Sequence, residues 1–132
     1  MHTVTAFVTR DADACWRVFT DVALLTSWVP GLHRAEILTH ERGMPAEIHF
    51  EFASALAYTL VYSYDKQNRE VRWQPKLGPR EGVTGFARFE SEGTGTRITY
   101  GIEQGDARTD EVRKLGDPQP IIAAFAARMQ TA

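Results

Sequence analysis

Apolar and polar residues alternate from the start of the chain. Val4, Ala6 and Val8 share one phase, against Thr3, Thr5, Phe7 and Thr9 in the other, which predicts a strand over His2–Thr9. The period then changes. Ala12, Cys15, Trp16 and Phe19 recur at helical spacing behind Asp11, whose carboxylate suits the free amides of a first helical turn. A second short helix is predicted from Asp21, carrying Leu24, Leu25 and Trp28 and ending at Pro30-Gly31. Strand-like runs follow over His33–Glu41, Ala46–Ala53, Ala57–Asp65, Glu70–Pro75, Val83–Ser91 and Thr96–Gln104. Turn residues separate them: Arg42-Gly43-Met44-Pro45, Lys66-Gln67-Asn68, Gly78 to Gly82, and Gly93-Thr94-Gly95. The clearest strand is the second of these, with Ile48, Phe50 and Phe52 on one face and Glu47, His49 and Glu51 on the other. Gly105 to Asp117 is polar and predicts a loop. Beyond Pro118, Ile121, Phe125 and Met129 fall on one side of an alanine-rich helix.

The predicted order is a strand, two short helices, a meander of about six strands and a C-terminal helix. The economical packing for that order is a curved antiparallel sheet of about seven strands with the helices on one side, an α+β fold. Each strand would bury one face against the helices and wet the other.

Composition narrows the function classes. The chain has 132 residues, 43% of them hydrophobic and 24% charged, the mixture of one soluble globular domain over residues 1–132. Fifteen Lys and Arg oppose 17 Asp and Glu. There is no basic surplus of the kind that binds nucleic acid or an anionic lipid surface. No apolar run approaches the roughly 20 residues of a membrane-spanning helix, so integral membrane association is not expected. Met1 to Thr5 lacks the basic and apolar regions of a secretory leader, and Cys15 has no second cysteine to pair with, so a cytoplasmic location is expected.

Two stretches carry a family resemblance. The first runs Phe7-Val8-Thr9-Arg10-Asp11 through Trp16-Arg17-Val18-Phe19-Thr20-Asp21 to Leu24-Leu25-Thr26-Ser27-Trp28-Val29-Pro30-Gly31. The second is the hairpin Gly93-Thr94-Gly95-Thr96-Arg97-Ile98-Thr99-Tyr100. Together with the element order they resemble the SRPBCC superfamily (START-like, birch-pollen-allergen-like), nearest to its polyketide cyclase/dehydrase and lipid-transport-like branch. The resemblance implies a helix-grip fold, a curved sheet wrapped around a C-terminal helix with an apolar cavity between. About a dozen residues follow Pro118, fewer than is usual in that superfamily. Such a helix leaves the cavity partly open or capped by a second subunit, a homodimer.

The tyrosines are the most informative candidates. Tyr58, Tyr62 and Tyr64 share the phase of Leu60, and Tyr100 that of Ile98 and Ile102. Phe50, Phe52 and Trp73 also fall in the apolar phase of their strands, and Phe125 on the apolar side of the last helix. If that phase faces inward, these eight residues line an aromatic pocket edged with hydroxyls, suited to a flat apolar ligand with a few polar groups. The plainer alternative is an ordinary core whose hydroxyls sit at its rim. Arg34 and Glu36 share the phase of Leu32 and Leu38, so one of them could point inward, and His33 could reach a pocket mouth. All three are candidate polar pocket groups, with an outward-facing pair as the alternative for Arg34 and Glu36.

Other chemistry finds no support. His2, His33, His40 and His49 show no metal-ligand spacing, no serine sits in a nucleophile elbow, and no cofactor fingerprint is present. Gly93-x-Gly95 lies between two strands, whereas a phosphate cradle needs a strand followed by a helix. Three functions stay open. The first is a binding or carrier domain for a hydrophobic or aromatic small molecule. The second, implied by the resemblance, is a polyketide cyclase/dehydrase-type enzyme using Tyr62, Tyr100, Arg34 and His33. The third is a protein-interaction module.

Overall fold

The computed structural model describes residues 2–53, 56–77, 83–104 and 117–131. The predicted loops at Gly78–Gly82 and across 105–116 lie outside them. Strand β1 (His2–Val8) leads into helices α1 (Ala12–Phe19) and α2 (Val22–Trp28). Strands β2 (Leu32–Glu41), β3 (Met44–Phe52), β4 (Ala57–Asp65), β5 (Glu70–Pro75), β6 (Val83–Glu92) and β7 (Gly95–Gln104) follow, and helix α3 (Gln119–Thr131) ends the chain. The helix-grip arrangement expected from the sequence is present.

One seven-stranded sheet runs in the order β1-β7-β6-β5-β4-β3-β2, with every pairing antiparallel. β1 and β2 are neighbours in sequence but form opposite edges of the sheet. The segment between them must therefore cross the sheet, and α1 and α2 are that crossing. α1 packs on β6 and β7, α2 on β2, and α3 on β1 and α2.

Local chemistry fixes these elements. Asp11 caps α1 by accepting the Ala14 N–H at 2.7 Å, and Asp21 caps α2 by accepting the Ala23 N–H at 3.1 Å. The Thr96 hydroxyl, fully buried, donates to the Arg10 carbonyl at 2.7 Å and ties β7 to the entry of α1. That contact gives the Gly-Thr-Arg hairpin motif a structural role. The β2–β3 turn has left-handed backbone at Arg42 and Gly43, with φ of 54° and 81°, the hand that matches the twist of a sheet.

Cross-strand pairs make the helix-facing side continuous. Ile48 faces Leu60, Phe50 faces Tyr58, Tyr62 faces Trp73, Val71 faces Ala87, and Ala87 faces Tyr100. Phe89 and Ile98 of the sheet and Phe125 and Met129 of α3 are almost wholly buried. Burying each such side chain contributes about 1.5–3 kcal/mol. The other side of the sheet is wet and paired. Glu47 meets Lys76, Arg34 meets Glu36 at 2.9 Å, and Arg88 meets Glu70 at 2.6 Å. Among the described residues no helix is long and apolar enough to cross a membrane.

Candidate functional site

The meander and the helices do not close on each other. Between them lies a cavity of about 520 Å³. Its sheet wall is built by Ile48, Phe50 and Phe52 of β3, by Tyr58, Leu60, Tyr62 and Tyr64 of β4, and by Val71 and Trp73 of β5. Tyr100 and Ile102 of β7 extend that wall. Phe19 of α1, Leu25 and Trp28 of α2, and Ile121 of α3 form the other side. Pro30, Gly31, Ala53, Asp117 and Pro120 also line the cavity and are exposed, so the opening lies where the α2–β2 connection, the end of β3 and the start of α3 meet.

The rings form a belt. Trp28 lies 5.7 Å from Phe19 and Phe19 lies 6.4 Å from Tyr100. Tyr100 is 5.5 Å from Trp73, Trp73 is 5.7 Å from Tyr62, and Tyr62 is 6.3 Å from Phe50. Phe50 and Phe52 flank Tyr58 at 5.8 and 5.5 Å. Pairs at these separations and tilts add packing energy beyond the area they bury, and they hold one another's rotamers.

Polar groups are few. Burial pushes the hydroxyls of Tyr58, Tyr62, Tyr64 and Tyr100 well above the ordinary tyrosine pKa, and Tyr100 and Tyr58 raise Tyr62 further by charge repulsion. All four stay neutral through the physiological range. Tyr64 donates to the Pro45 carbonyl at 2.7 Å. The Trp28 indole N–H is buried and has no acceptor among the described residues. Cys15 is buried under α1, and desolvation raises its thiol pKa, which makes it an unreactive core thiol. Among the described residues no group of three or more His, Cys, Asp or Glu is placed to hold a metal.

Of the eight aromatic residues expected at a pocket, Phe50, Phe52, Tyr58, Tyr62, Tyr64, Trp73 and Tyr100 front the cavity. Phe125 does not. Its ring is 1% exposed and packs on Phe19, Trp28 and Phe89 at 5.5, 5.0 and 5.9 Å, a layer below the void. Ile121, one turn earlier on α3, takes the lining position.

The polar candidates are corrected. His33, Arg34 and Glu36 are exposed and absent from the cavity wall. The cause is a bulge. Leu32 pairs with Phe52 and faces inward, but the register shifts before Arg34, which pairs with Glu51. One extra residue moves the side chains from Arg34 to Ile37 to the opposite face from strict alternation, and the register shifts again on either side of Thr39. Ala35 and Ile37 therefore face Phe50 and Ile48 on the helix side, while Arg34, Glu36 and the 47% exposed Leu38 face solvent. Arg34 lies within 3.5 Å of Glu51 there.

Sequence reasoning did not place Phe19 and Trp28 in the wall. Both were legible as apolar positions of their helices. Their role depends on where the crossing segment passes over the sheet, which strand alternation does not reveal.

The family model described as polyketide cyclase / dehydrase and lipid transport matches residues 1–132. A search of curated proteins finds no match. Among solved structures, a START superfamily protein from Mycobacterium smegmatis is similar, with a TM-score of 0.77 at 13% identity, over 98% of this chain and 97% of that one. A STAR-related lipid transfer protein from Xanthomonas axonopodis gives 0.75 at 14% identity, over 96% and 84%. The Zhui aromatase/cyclase from Streptomyces sp. R1128 gives 0.65 at 18% identity, over 98% and 86%. At these identities the likeness shows the fold.

Proposed function

We propose that this chain, which belongs to the polyketide cyclase / dehydrase and lipid transport family, acts as one domain over residues 1–132 that binds a hydrophobic or aromatic small molecule between the sheet and α3. The observation that carries the reading is the cavity itself. Its volume of about 520 Å³ is lined by rings and aliphatic side chains and opens beside Pro30 and Pro120. Small-molecule sites typically enclose about 300–1,000 Å³. Its walls offer apolar transfer energy of roughly 25 cal/mol per Å² to a ligand that fills them. Tyr58, Tyr62, Tyr64, Trp73, Phe50, Phe52 and Tyr100 are the binding residues in this reading. Among the similar proteins, the name of the lipid transfer protein agrees with this reading, and that of the aromatase/cyclase agrees with the enzyme alternative.

The enzyme alternative has less support. A cyclase or dehydrase needs groups that take and give protons at the ligand. Tyr62 and Tyr100 front the cavity, but their raised pKa makes them hydrogen-bond donors and not bases near neutral pH. His33 and Arg34 are on the wrong side of β2. The interaction-module alternative meets a similar difficulty. Ile122, Phe125 and Met129 are buried, and the exposed positions of α3 are Gln119, Pro120, Ala123, Ala127 and Gln130.

Two finer readings accompany the proposal. A homodimer would cover the opening beside Ile121, and light scattering that returns the mass of one chain sets it aside. A cytoplasmic site of action is the second, and the free Cys15 thiol agrees with it.

The proposal is tested by native mass spectrometry of protein purified from cells, followed by organic extraction. An apolar compound bound once per chain supports the reading. An apo mass, together with no thermal shift on adding lipids or polycyclic aromatics, contradicts it.

A further inference from the structure

Four tyrosines face the helices, and among the described residues only Tyr64 has its hydroxyl engaged, on the Pro45 carbonyl at 2.7 Å. For the hydroxyls of Tyr58, Tyr62 and Tyr100 the described residues provide no hydrogen-bond partner. The three are close neighbours. Tyr62 and Tyr100 both pack on Trp73, at 5.7 and 5.5 Å, and Tyr58 and Tyr62 both pack on Phe50, at 5.8 and 6.3 Å. These residues line the cavity, where water or a ligand atom can reach a hydroxyl, and a hydroxyl that gives up that water to an apolar ligand needs another partner. The void they border is large enough to hold that partner.

The charges around the void restrict that partner. No basic side chain is among the described lining residues, and the one carboxylate is that of Asp117 at the opening. Its Oδ1 accepts the Gln119 N–H at 3.0 Å at the start of α3. An anionic ligand would shed its water against rings and neutral hydroxyls, pass a carboxylate on entry, and meet no counter-charge from these walls. A neutral hydroxyl or carbonyl oxygen needs no counter-charge. The tyrosine hydroxyls can donate to either, and can accept from a ligand hydroxyl.

We infer, on the reading that the cavity is a binding site, that it selects uncharged ligands. These are flat ring systems whose hydroxyl or carbonyl oxygens hydrogen-bond with Tyr58, Tyr62 and Tyr100. Carboxylates, sulfonates and phosphate esters of the same shape are turned away. Tyr58, Tyr62 and Tyr100 are then specificity-determining residues, and the surrounding rings supply affinity without discrimination.

Three fluorescent probes of one shape separate these contributions: pyrene, 1-hydroxypyrene and 1-pyrenecarboxylate, titrated at pH 7 into the wild-type protein. A Tyr62→Phe/Tyr100→Phe double variant is titrated in parallel, with Tyr58→Phe as a second variant should the double one melt early. The expected result is that 1-hydroxypyrene binds at least about tenfold tighter than 1-pyrenecarboxylate. The double variant lowers the ratio of 1-hydroxypyrene affinity to pyrene affinity by about fivefold, whatever it does to pyrene itself. If the carboxylate binds as tightly as the hydroxyl compound, charge selection is overturned while cavity binding stands. If the Phe variants leave the 1-hydroxypyrene to pyrene ratio unchanged, the tyrosines are not the polar contact and the inference fails on that count. If no pyrene compound binds, the cavity reading fails and this inference with it.

Discussion

The Phe19 ring on α1 lies 5.5 Å from the Phe125 ring on α3, edge to face. Phe19 also touches Trp28, Trp73, Phe89 and Tyr100. It is the point where the crossing helix, the last helix and the sheet meet, and it forms part of the cavity wall. Phe19→Ala should therefore destabilise the fold by about 3 kcal/mol, the lower end of the usual Phe→Ala range because one side of the ring already borders the void. Urea melts measure it. A loss under ~1 kcal/mol would mean that the helices and sheet are joined elsewhere.

Gly85 lies under Trp73. A methyl group added there would sit 2.7 Å from the indole ring and 2.6 Å from the Gly101 carbonyl oxygen, closer than real contacts allow. Gly85→Ala should cost about 1–3 kcal/mol and push Trp73 toward the cavity. A red or blue shift in tryptophan emission together with a lowered Tm checks both effects. Unchanged emission and Tm would show that the ring does not rest on that glycine.

The alternation in β3 makes an opposed pair of variants. Phe50 is 5% exposed on the helix side, whereas Glu51 faces solvent beside Arg34. Phe50→Asp should prevent folding. Glu51→Ala should change stability by no more than about 0.5 kcal/mol, as exposed ion pairs contribute little. Circular dichroism melts of the two variants read the outcome, and the reverse order would mean the register of β3 is slipped by one residue.

Burial raises the pKa of all four tyrosines of the chain above the ordinary value near 10. The folded state holds them neutral while the unfolded state would release their protons. The stability they contribute is thus complete below about pH 10 and is lost as pH rises beyond it, at up to ~1.4 kcal/mol per pH unit for each tyrosine kept neutral. Tyrosinate absorbance followed from pH 8 upward should stay flat past pH 10 and then rise together with the loss of far-ultraviolet circular dichroism. A gradual titration centred near pH 10 in folded protein would show that the hydroxyls are solvated.

Much of this architecture was legible in the sequence, for reasons specific to particular residues. Asp11 and Asp21 read as helix caps because short acidic side chains satisfy first-turn amides, and both do so. Ile48, Phe50 and Phe52 revealed the orientation of β3 because nothing interrupts their alternation. β2 misled because its bulge at His33 carries no glycine or proline to mark it. Strict alternation from Leu32 let Arg34 or Glu36 point inward beside the outward-facing alternative, whereas the structure has both outside and Ala35 and Ile37 on the helix side. Phe125 was read as a pocket-lining residue on the apolar side of the last helix, and it lies a layer below the void. How deep it sits depends on Phe19 and Trp28, which arrive from α1 and α2 and take the wall position above it. Period and turn chemistry thus conveyed the elements and most of the ring wall, and the third dimension settled which rings meet the void.

The central claim is that the space between sheet and α3 is a ligand site. Methyl-resolved NMR during titration with N-phenyl-1-naphthylamine tests it most directly, because it reports both binding and place. The account predicts saturable shifts at Ile48, Leu60, Val71, Ile102 and Ile121, which line the cavity, with Leu38 and Leu77 on the exposed surface unmoved. Shifts confined to Leu38 and Leu77, or no saturable shift at the cavity methyls, would contradict it.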